Sequence, residues 1–197
     1  MSAGLNGSMN VVRDGQAWRV GTPAEVSWIA DGTKNGQGIA AAIPPIFATY
    51  ATLWDSNEDR VTTRTHEHAV VGHLIEHTAA DQTWWLGFLD TGAHDIVFTD
   101  APRVTLYSGW SYVLIEAGPT QAVMWRTGHM RSSEGALPDL MFPADRAWLV
   151  SALWDDTWTC VGGSLRLIEA LERDPLVHAK PVWPGENPKP YDLPFTD

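Results

Sequence analysis

The sequence predicts an α+β fold: a single domain with a mostly antiparallel, tryptophan-rich sheet and a few packing helices. A length of 197 residues suits one domain. Short apolar runs separated by turn residues are typical of strands, and two longer segments follow the helical period. Eleven tryptophans favour core and sheet positions, with one or two left for contacts with a partner. We assign 9–180 to the domain and 181–197, which holds five prolines, to an extended tail.

The first quarter of the chain is predicted to be rich in loops. Residues 9–30 indicate an irregular start with short extended pieces. Three glycines within 31–38 predict a mobile loop, which lacks the strand-loop-helix context and the final Lys-Ser or Lys-Thr of a phosphate-binding loop. Helical stretches in 39–53 are interrupted by two prolines, and the second of them, Pro45, is expected to begin a helix.

Helices and strands follow one another in the rest of the chain. The apolar positions of 65–78 fall on one side of a helix, and Ser164 is a natural N-cap for a second helix that ends at Arg173. Residues 121–126 fit either type of element, and a polar loop follows as far as 140. Apolar runs predict strands at 84–89, 96–98, 104–107, 111–116, 148–154 and 158–161.

The charge excludes one class of partner and favours another. Twenty-four acidic and 13 basic residues give a formal charge of −11, which repels the phosphates of nucleic acids. Such a surface suits a basic protein partner through complementary fields, although acidity serves solubility equally well. The single cysteine, Cys160, fits a reducing compartment, and the sequence contains no stretch of about 18 apolar residues. We therefore expect a cytoplasmic protein without a membrane segment.

Residues 73–77 resemble the inverted zinc-protease motif His-x-x-Glu-His. His73 and His77 are one helical turn apart and could approach a common metal ion, while Glu76 could polarise a bound water. The resemblance covers only this short motif, those enzymes are much larger, and a third ligand has to come from another helix. Glu169 is the candidate on a predicted helix. We favour a helix edge that carries histidines, and expect neither a metal nor a cofactor.

The stretch GFLDTGAHDIVF is similar to the retropepsin loop, in which an apolar strand delivers Asp-Thr/Ser-Gly-Ala and two aspartates of a dimer share a proton. That resemblance implies Asp90 as the catalytic acid and base, and 159–164 is faintly similar to a later stretch of the family. Against it, His94 replaces a small or acidic residue, Trp84 and Trp85 crowd the strand, and no glycine-rich flap is evident. Asp-Thr-Gly is also ordinary turn chemistry. A hydrolase, aspartic or zinc-dependent, is thus the alternative function.

Contacts with a partner are predicted in two places. Two charged residues lie in the glycine-rich loop 31–38, and four residues form or flank the tip of the predicted hairpin 148–161. A hairpin tip is convex, which makes it a poor place to desolvate a catalytic acid but a good place to present charge and aromatic area. The candidate contact residues are Asp31, Lys34, Trp154, Asp155, Asp156 and Trp158.

Three segments, IPPIFATYATL, WWLGFLDTG and LMFPADRAWLVSALWDDTWTCVGGS, resemble a group of small acidic actinobacterial proteins. The resemblance spans most of the chain and brings no catalytic motif. Proteins of this group accompany secreted polymorphic toxins, including NAD-glycohydrolase toxins, whose producers need a cognate immunity protein. The resemblance implies a non-enzymatic protein that binds and blocks a toxin enzyme, such as an NAD-glycohydrolase or a nuclease. The loop 31–38 would then enter the active-site cleft of the toxin.

Overall fold

The computed structural model confirms the α+β class. It describes residues 9–36, 38–54, 60–90, 98, 100–107, 109–126, 137–153 and 158–186. Within these residues an eight-stranded antiparallel sheet carries helices on both faces, and a two-stranded hairpin packs beside them. The described part of the chain contains no helix that is long and apolar enough to cross a membrane.

The elements are numbered in chain order. The strands are β1 (Asn10–Arg13), β2 (Gln16–Arg19), β3 (Thr49–Leu53), β4 (Trp84–Leu89), β5 (Val104–Leu106), β6 (Trp110–Ala117), β7 (Leu140–Pro143), β8 (Leu149–Ala152), β9 (Thr159–Gly163) and β10 (Ala179–Val182). The helices are α1 (Pro23–Gly32), α2 (Ile39–Ala42), α3 (Arg60–Glu76), α4 (Pro119–Met124) and α5 (Leu165–Arg173).

The order of strands in the large sheet is β10-β3-β9-β8-β7-β4-β6-β5, and every neighbouring pair is antiparallel. It follows that β3 and β4 run in the same direction, as do β6 and β7, and β9 and β10. Each of these pairs is separated in sequence by one helix, because strands of like direction need a crossover connection. The three crossover helices, α3, α4 and α5, pack on one face of the sheet, and α1 and α2 pack on the other.

Both faces of the sheet are buried, and β4 shows how the sequence achieves this. Trp84 and Phe88 point to the face with the crossover helices, whereas Trp85 points to the face with α1 and α2. The ring of Trp84 packs edge-on against Trp148 with 4.7 Å between centroids, and the indole N–H of Trp148 donates to Thr78 Oγ1 at 2.8 Å. A strand between two helical layers has to be apolar at nearly every position, as WWLGFL is.

Most strands and helices beyond residue 60 confirm the sequence prediction. β4 has the predicted limits, α3 begins five residues earlier than expected, and α5 begins after Ser164, whose Oγ accepts from Leu167 N at 3.2 Å. The predicted strands around 104–107 and 111–116 appear as β5 and β6, and the predicted hairpin appears as the pair β8 and β9. The undecided residues 121–126 belong largely to α4. The strand expected at 96–98 falls mostly outside the described residues.

The first quarter of the chain differs from the prediction. The extended pieces in 9–30 exist, as β1 and β2, but α1 follows them with a capping box between Thr22 and Glu25. The helix expected from Pro45 is wrong, because 49–53 form the buried strand β3 between β9 and β10. Its side chains alternate between the two cores, with Tyr50 in one and Ala51 in the other, so tertiary packing overrides the local helical pattern.

Two further strands were not predicted from the sequence. β7 begins at Leu140, the last residue of the predicted polar loop. β10 crosses the predicted domain boundary at 180 and pairs with β3, so the chain remains part of the sheet through Val182. Pro181 has no N–H to donate, and the N–H of Ala179 already donates to Val177 O at 3.0 Å. The outer edge of β10 therefore offers few donors to a further strand.

Replacement of Gly162 by alanine is expected to destabilise the domain. A Cβ atom there would lie 2.5 Å from Phe47 Cδ2 and 3.0 Å from Ile43 Cγ2, so the segment that covers β9 would have to move. We expect a loss of about 1–3 kcal/mol in the free energy of unfolding, measured by urea denaturation. Gly72→Ala is the matched control: it lies in α3 with no atom within 4 Å of the new Cβ, and should stabilise the protein by about 0.5–1 kcal/mol. Equal effects of the two substitutions would contradict this packing.

Candidate functional site

The two predicted contact residues near the glycine-rich loop are exposed on an ordered segment. Asp31 lies in the last turn of α1, and Lys34 lies between α1 and α2. The amide of Thr33 donates to Ile29 O at 2.9 Å, and that of Lys34 donates to Ala40 O at 2.9 Å. These hydrogen bonds hold the described residues of the connection against both helices, so Asp31 and Lys34 are presented to solvent by fixed backbone.

The predicted hairpin tip can be described only in part. Trp154, Asp155 and Asp156 lie outside the described residues. Trp158 is described, and its side chain is 6% exposed in the core beneath α1 and α2. A side chain at this depth contributes packing energy and offers almost no surface to a partner, so we do not include Trp158 in the contact surface.

The histidines of the zinc-protease-like motif point to different partners. His73 Nε2 lies 2.8 Å from Asp174 Oδ2 beyond the end of α5, and His77 Nδ1 lies 2.9 Å from the carbonyl oxygen of His73 in its own helix. The other ring nitrogen of His73 is buried and lies 3.9 Å from Glu76. The described residues hold no group of three or more side chains that could bind a metal ion. This geometry ties α3 to α5 and favours a structural role for His73.

Asp90 of the protease-like loop forms an ion pair. Its Oδ2 accepts from Arg103 Nε at 2.6 Å, and the same guanidinium donates to the carbonyl oxygens of Phe98 and Ala101. The remainder of the protease-like sequence, 91–97, lies outside the described residues. The contact of Asp90 with an arginine differs from the arrangement of an aspartic protease, in which two aspartates face each other and share a proton.

A second ion pair beside Asp90 was not anticipated from the sequence. Arg126 donates to both carboxylate oxygens of Asp139, at 3.3 Å and 2.6 Å, and Asp139 Oδ2 also accepts from Leu89 N at 2.8 Å. The guanidinium carbon of Arg126 lies 5.5 Å from the centroid of the Phe88 ring. A bidentate pair of this kind fixes the approach of α4 to the ends of β4 and β7. Arg126 follows α4 and Asp139 precedes β7, so their meeting depends on tertiary packing at the strand ends, which no local motif signals.

Cys160 is a buried residue of β9. Burial raises the pKa of its thiol, which keeps the sulfur protonated and unreactive, as the apolar sequence context predicts. On the neighbouring strand Ser151 lies 2.9 Å from the hydroxyl of Tyr107, which also donates to Ala42 O at 3.2 Å. These hydrogen bonds connect β8, α2 and the turn after β5, and all of their partners belong to the domain itself.

Three exposed apolar side chains lie at one end of the sheet, and the sequence did not single them out. They follow or precede the strands β3, β9 and β10, which are neighbours in the sheet. Their exposed fractions are 61%, 55% and 68% for Ile46, Leu165 and Trp183. We call this set the apolar corner. Trp183 falls within the proline-rich region that the sequence assigned to a tail, and its composition gave no sign of an exposed tryptophan on ordered backbone.

The contacts of Asp174 with the amide of Leu176 and with His73 make the stability depend on pH in the acid range. The N–H of Leu176 and then His73 hold the pKa of Asp174 below its ordinary value. A carboxylate with a lowered pKa stabilises the fold above its unfolded pKa of about 3.9, and this contribution is lost as the pH falls through the folded pKa.

Asp174→Asn is therefore expected to lower the free energy of unfolding by about 1 kcal/mol at pH 7. The difference from the parent protein should shrink below about pH 4, where the carboxylate of the parent is protonated. Urea denaturation over a pH series measures both effects. Glu172→Gln, two residues earlier on the exposed side of α5, is the control and should change the stability little. A difference that persists unchanged at low pH would contradict an electrostatic role for Asp174.

Comparison with known proteins does not assign a function to any of these residues. A scan against protein-family models matches none, and searches of the curated proteins and of the solved structures return no match. The resemblance to immunity proteins therefore stays a prediction from the three sequence segments. The contacts, burial and charge of the molecule are therefore the evidence for its function.

Proposed function

We propose that this chain is a cytoplasmic, non-enzymatic binding protein: an immunity protein that binds and blocks a cognate toxin enzyme. The observation that carries the proposal is the formal charge of −11 on a chain of 197 residues. A protein with this charge attracts a basic protein from a distance and repels nucleic acid. Such a field would speed the capture of a basic toxin domain inside the producing cell.

The ion pairs use only some of the acidic residues, and many of the others lie at the surface, where they would attract a basic partner. Several arginines are held in pairs with carboxylates at the junctions of elements, such as Arg19 with Glu116 and Arg126 with Asp139. Many other acidic residues stand exposed to solvent, where they contribute to the field around the molecule. Among the residues that the structure describes, the exposed acids outside such junctions include Asp31, Glu76, Asp81, Asp100, Asp145, Glu172 and Glu186.

A binding role also accounts for the exposure of Asp31 at the end of α1 and of Lys34 after it. Asp31 and Lys34 stand on backbone that is already hydrogen-bonded to its helices, so little conformational entropy is lost when a partner binds them. A basic toxin domain with an NAD-glycohydrolase or nuclease active site is the partner that we propose, with this segment at its cleft. The contacts of Asp90 and His73 favour structural roles for both residues, so no observation favours the hydrolase alternative.

The proposal is tested with the product of the toxin gene adjacent to the gene of this protein. We expect a stable one-to-one complex at micromolar concentration or below and complete loss of toxin activity at equimolar ratio. Because opposite charges speed the encounter, the association rate should fall at least about tenfold between low salt and 0.5 M salt. Stopped-flow fluorescence of the tryptophans measures this rate.

Two controls separate recognition from simple attraction of charge. A catalytically inactive toxin variant should bind equally well, which measures binding independently of toxicity. An unrelated basic protein of similar size should not form a complex at 0.15 M salt, where the Debye length is about 8 Å. Absence of a complex with the toxin at micromolar concentration would refute the immunity function.

A further inference from the structure

Two prolines determine how the short helix α2 ends. A helical carbonyl oxygen accepts from the amide of the residue four positions later. For residues 40–41 these positions are Pro44 and Pro45, which have no N–H. The next amide, that of Ile46, donates to Pro44 O at 2.8 Å instead. α2 therefore ends in carbonyl groups that can accept from other parts of the chain.

Two of these carbonyl groups accept from residues outside α2. The amide of Lys34, in the connection that precedes α2, donates to Ala40 O at 2.9 Å. The hydroxyl of Tyr107, which is 65 residues from Ala42 in sequence, donates to Ala42 O at 3.2 Å. Burial raises the pKa of Tyr107, so the hydroxyl stays protonated and remains a donor. α2 thus joins the turn after β5 to the backbone of the predicted contact segment.

The backbone of Tyr107 adopts an unusual conformation to make this contact. Its φ of +47° lies in the left-handed region, which a bulky side chain rarely adopts and which carries an energetic cost. The turn is closed by Gly109 N, which donates to Leu106 O at 3.1 Å. It brings the phenol to α2 on one side and to Ser151 of β8 on the other, with 2.9 Å between the two hydroxyl oxygens. A strained residue of this kind points to a specific task for its side chain.

We propose that Tyr107 is a positioning residue: by closing the buried end of α2, its hydroxyl fixes the connection between α1 and α2 on which Lys34 is exposed. The hydrogen bond from Lys34 to α2 and that from Ala41 N to Gly38 O, at 3.0 Å, transmit the position of α2 to the connection. This positioning is a property of the chain alone. Only its consequence for a toxin rests on the function proposed above.

Amide hydrogen exchange of the full chain, followed by NMR, tests the proposal without a toxin. Tyr107→Phe removes the hydroxyl and leaves the carbonyl oxygen of the fully buried Ala42 without this donor. Any opening of the connection that breaks this bond then becomes easier. Exchange at the amides of Lys34 and Ala41 should accelerate by roughly tenfold. The amide of Val177, which donates to Asp174 O at 2.9 Å between α5 and β10, should keep its rate.

Tyr112→Phe is the matched control, since it removes the same group from a buried ring 5.9 Å from that of Tyr107. The hydroxyl of Tyr112 makes no hydrogen bond within the described part of the chain. Exchange at Lys34 should therefore stay within about twofold of the parent. An equal acceleration by both substitutions would overturn the proposal, because the effect would then come from repacking of the core.

Unchanged exchange at Lys34 in Tyr107→Phe would overturn the proposal as well. Should this variant fail to fold, the parent protein supplies a second measurement. The hydroxyl proton of Tyr107 should give a slowly exchanging resonance with a cross-peak to the methyl group of Ala42, and absence of this resonance would contradict the bond. Because no toxin is present, either failure leaves the test of the immunity function unaffected.

Discussion

Burial of the central sheet on both faces is the constraint on which the rest of this structure depends. Strands such as β4 carry apolar side chains toward both faces, and Trp84 and Trp148 meet edge-on within one of the two cores. Neither face can stay exposed, so the helices have to be distributed over both. The strand order places pairs of like direction one or more strands apart, and the crossovers between them supply the covering helices α3, α4 and α5. Gly162 then lets the segment around Phe47 approach β9 on the opposite face.

Elements with a local signal could be predicted from the sequence, and elements defined by distant partners could not. β4 is a continuous apolar run, and α5 begins at a Ser164 cap, so both were found with nearly correct limits. β3 follows two prolines with residues that also suit a helix, and it becomes a strand because β9 and β10, from the other end of the chain, pair with it. The capping box of Thr22 and Glu25 was present in the sequence, but the short α1 has few apolar positions to accompany it.

The same distinction explains the candidate sites. The motif around His73 specifies neighbours one helical turn away, whereas the partner that this histidine meets, Asp174, is 101 residues distant. Composition identified tryptophan as the residue type for a contact, yet it could not distinguish the buried Trp158 from the exposed Trp183. Exposure depends on which face of the sheet a residue joins and on what covers that face, and these are properties of the whole fold. The exposure of Asp31 and Lys34 could be predicted because glycines mark an exposed connection locally.

A surface assembled in this way depends on the folded state. The members of the apolar corner come from three distant parts of the chain, before β3, after β9 and after β10, and only the paired strands hold them together. The unfolded chain therefore lacks this arrangement, and any ligand that binds the folded state alone would stabilise the fold by an amount that grows with the logarithm of its concentration over its dissociation constant. The turn at Trp183 and the start of α5 are closed by hydrogen bonds within the chain, so a contact with either would cost little conformational entropy.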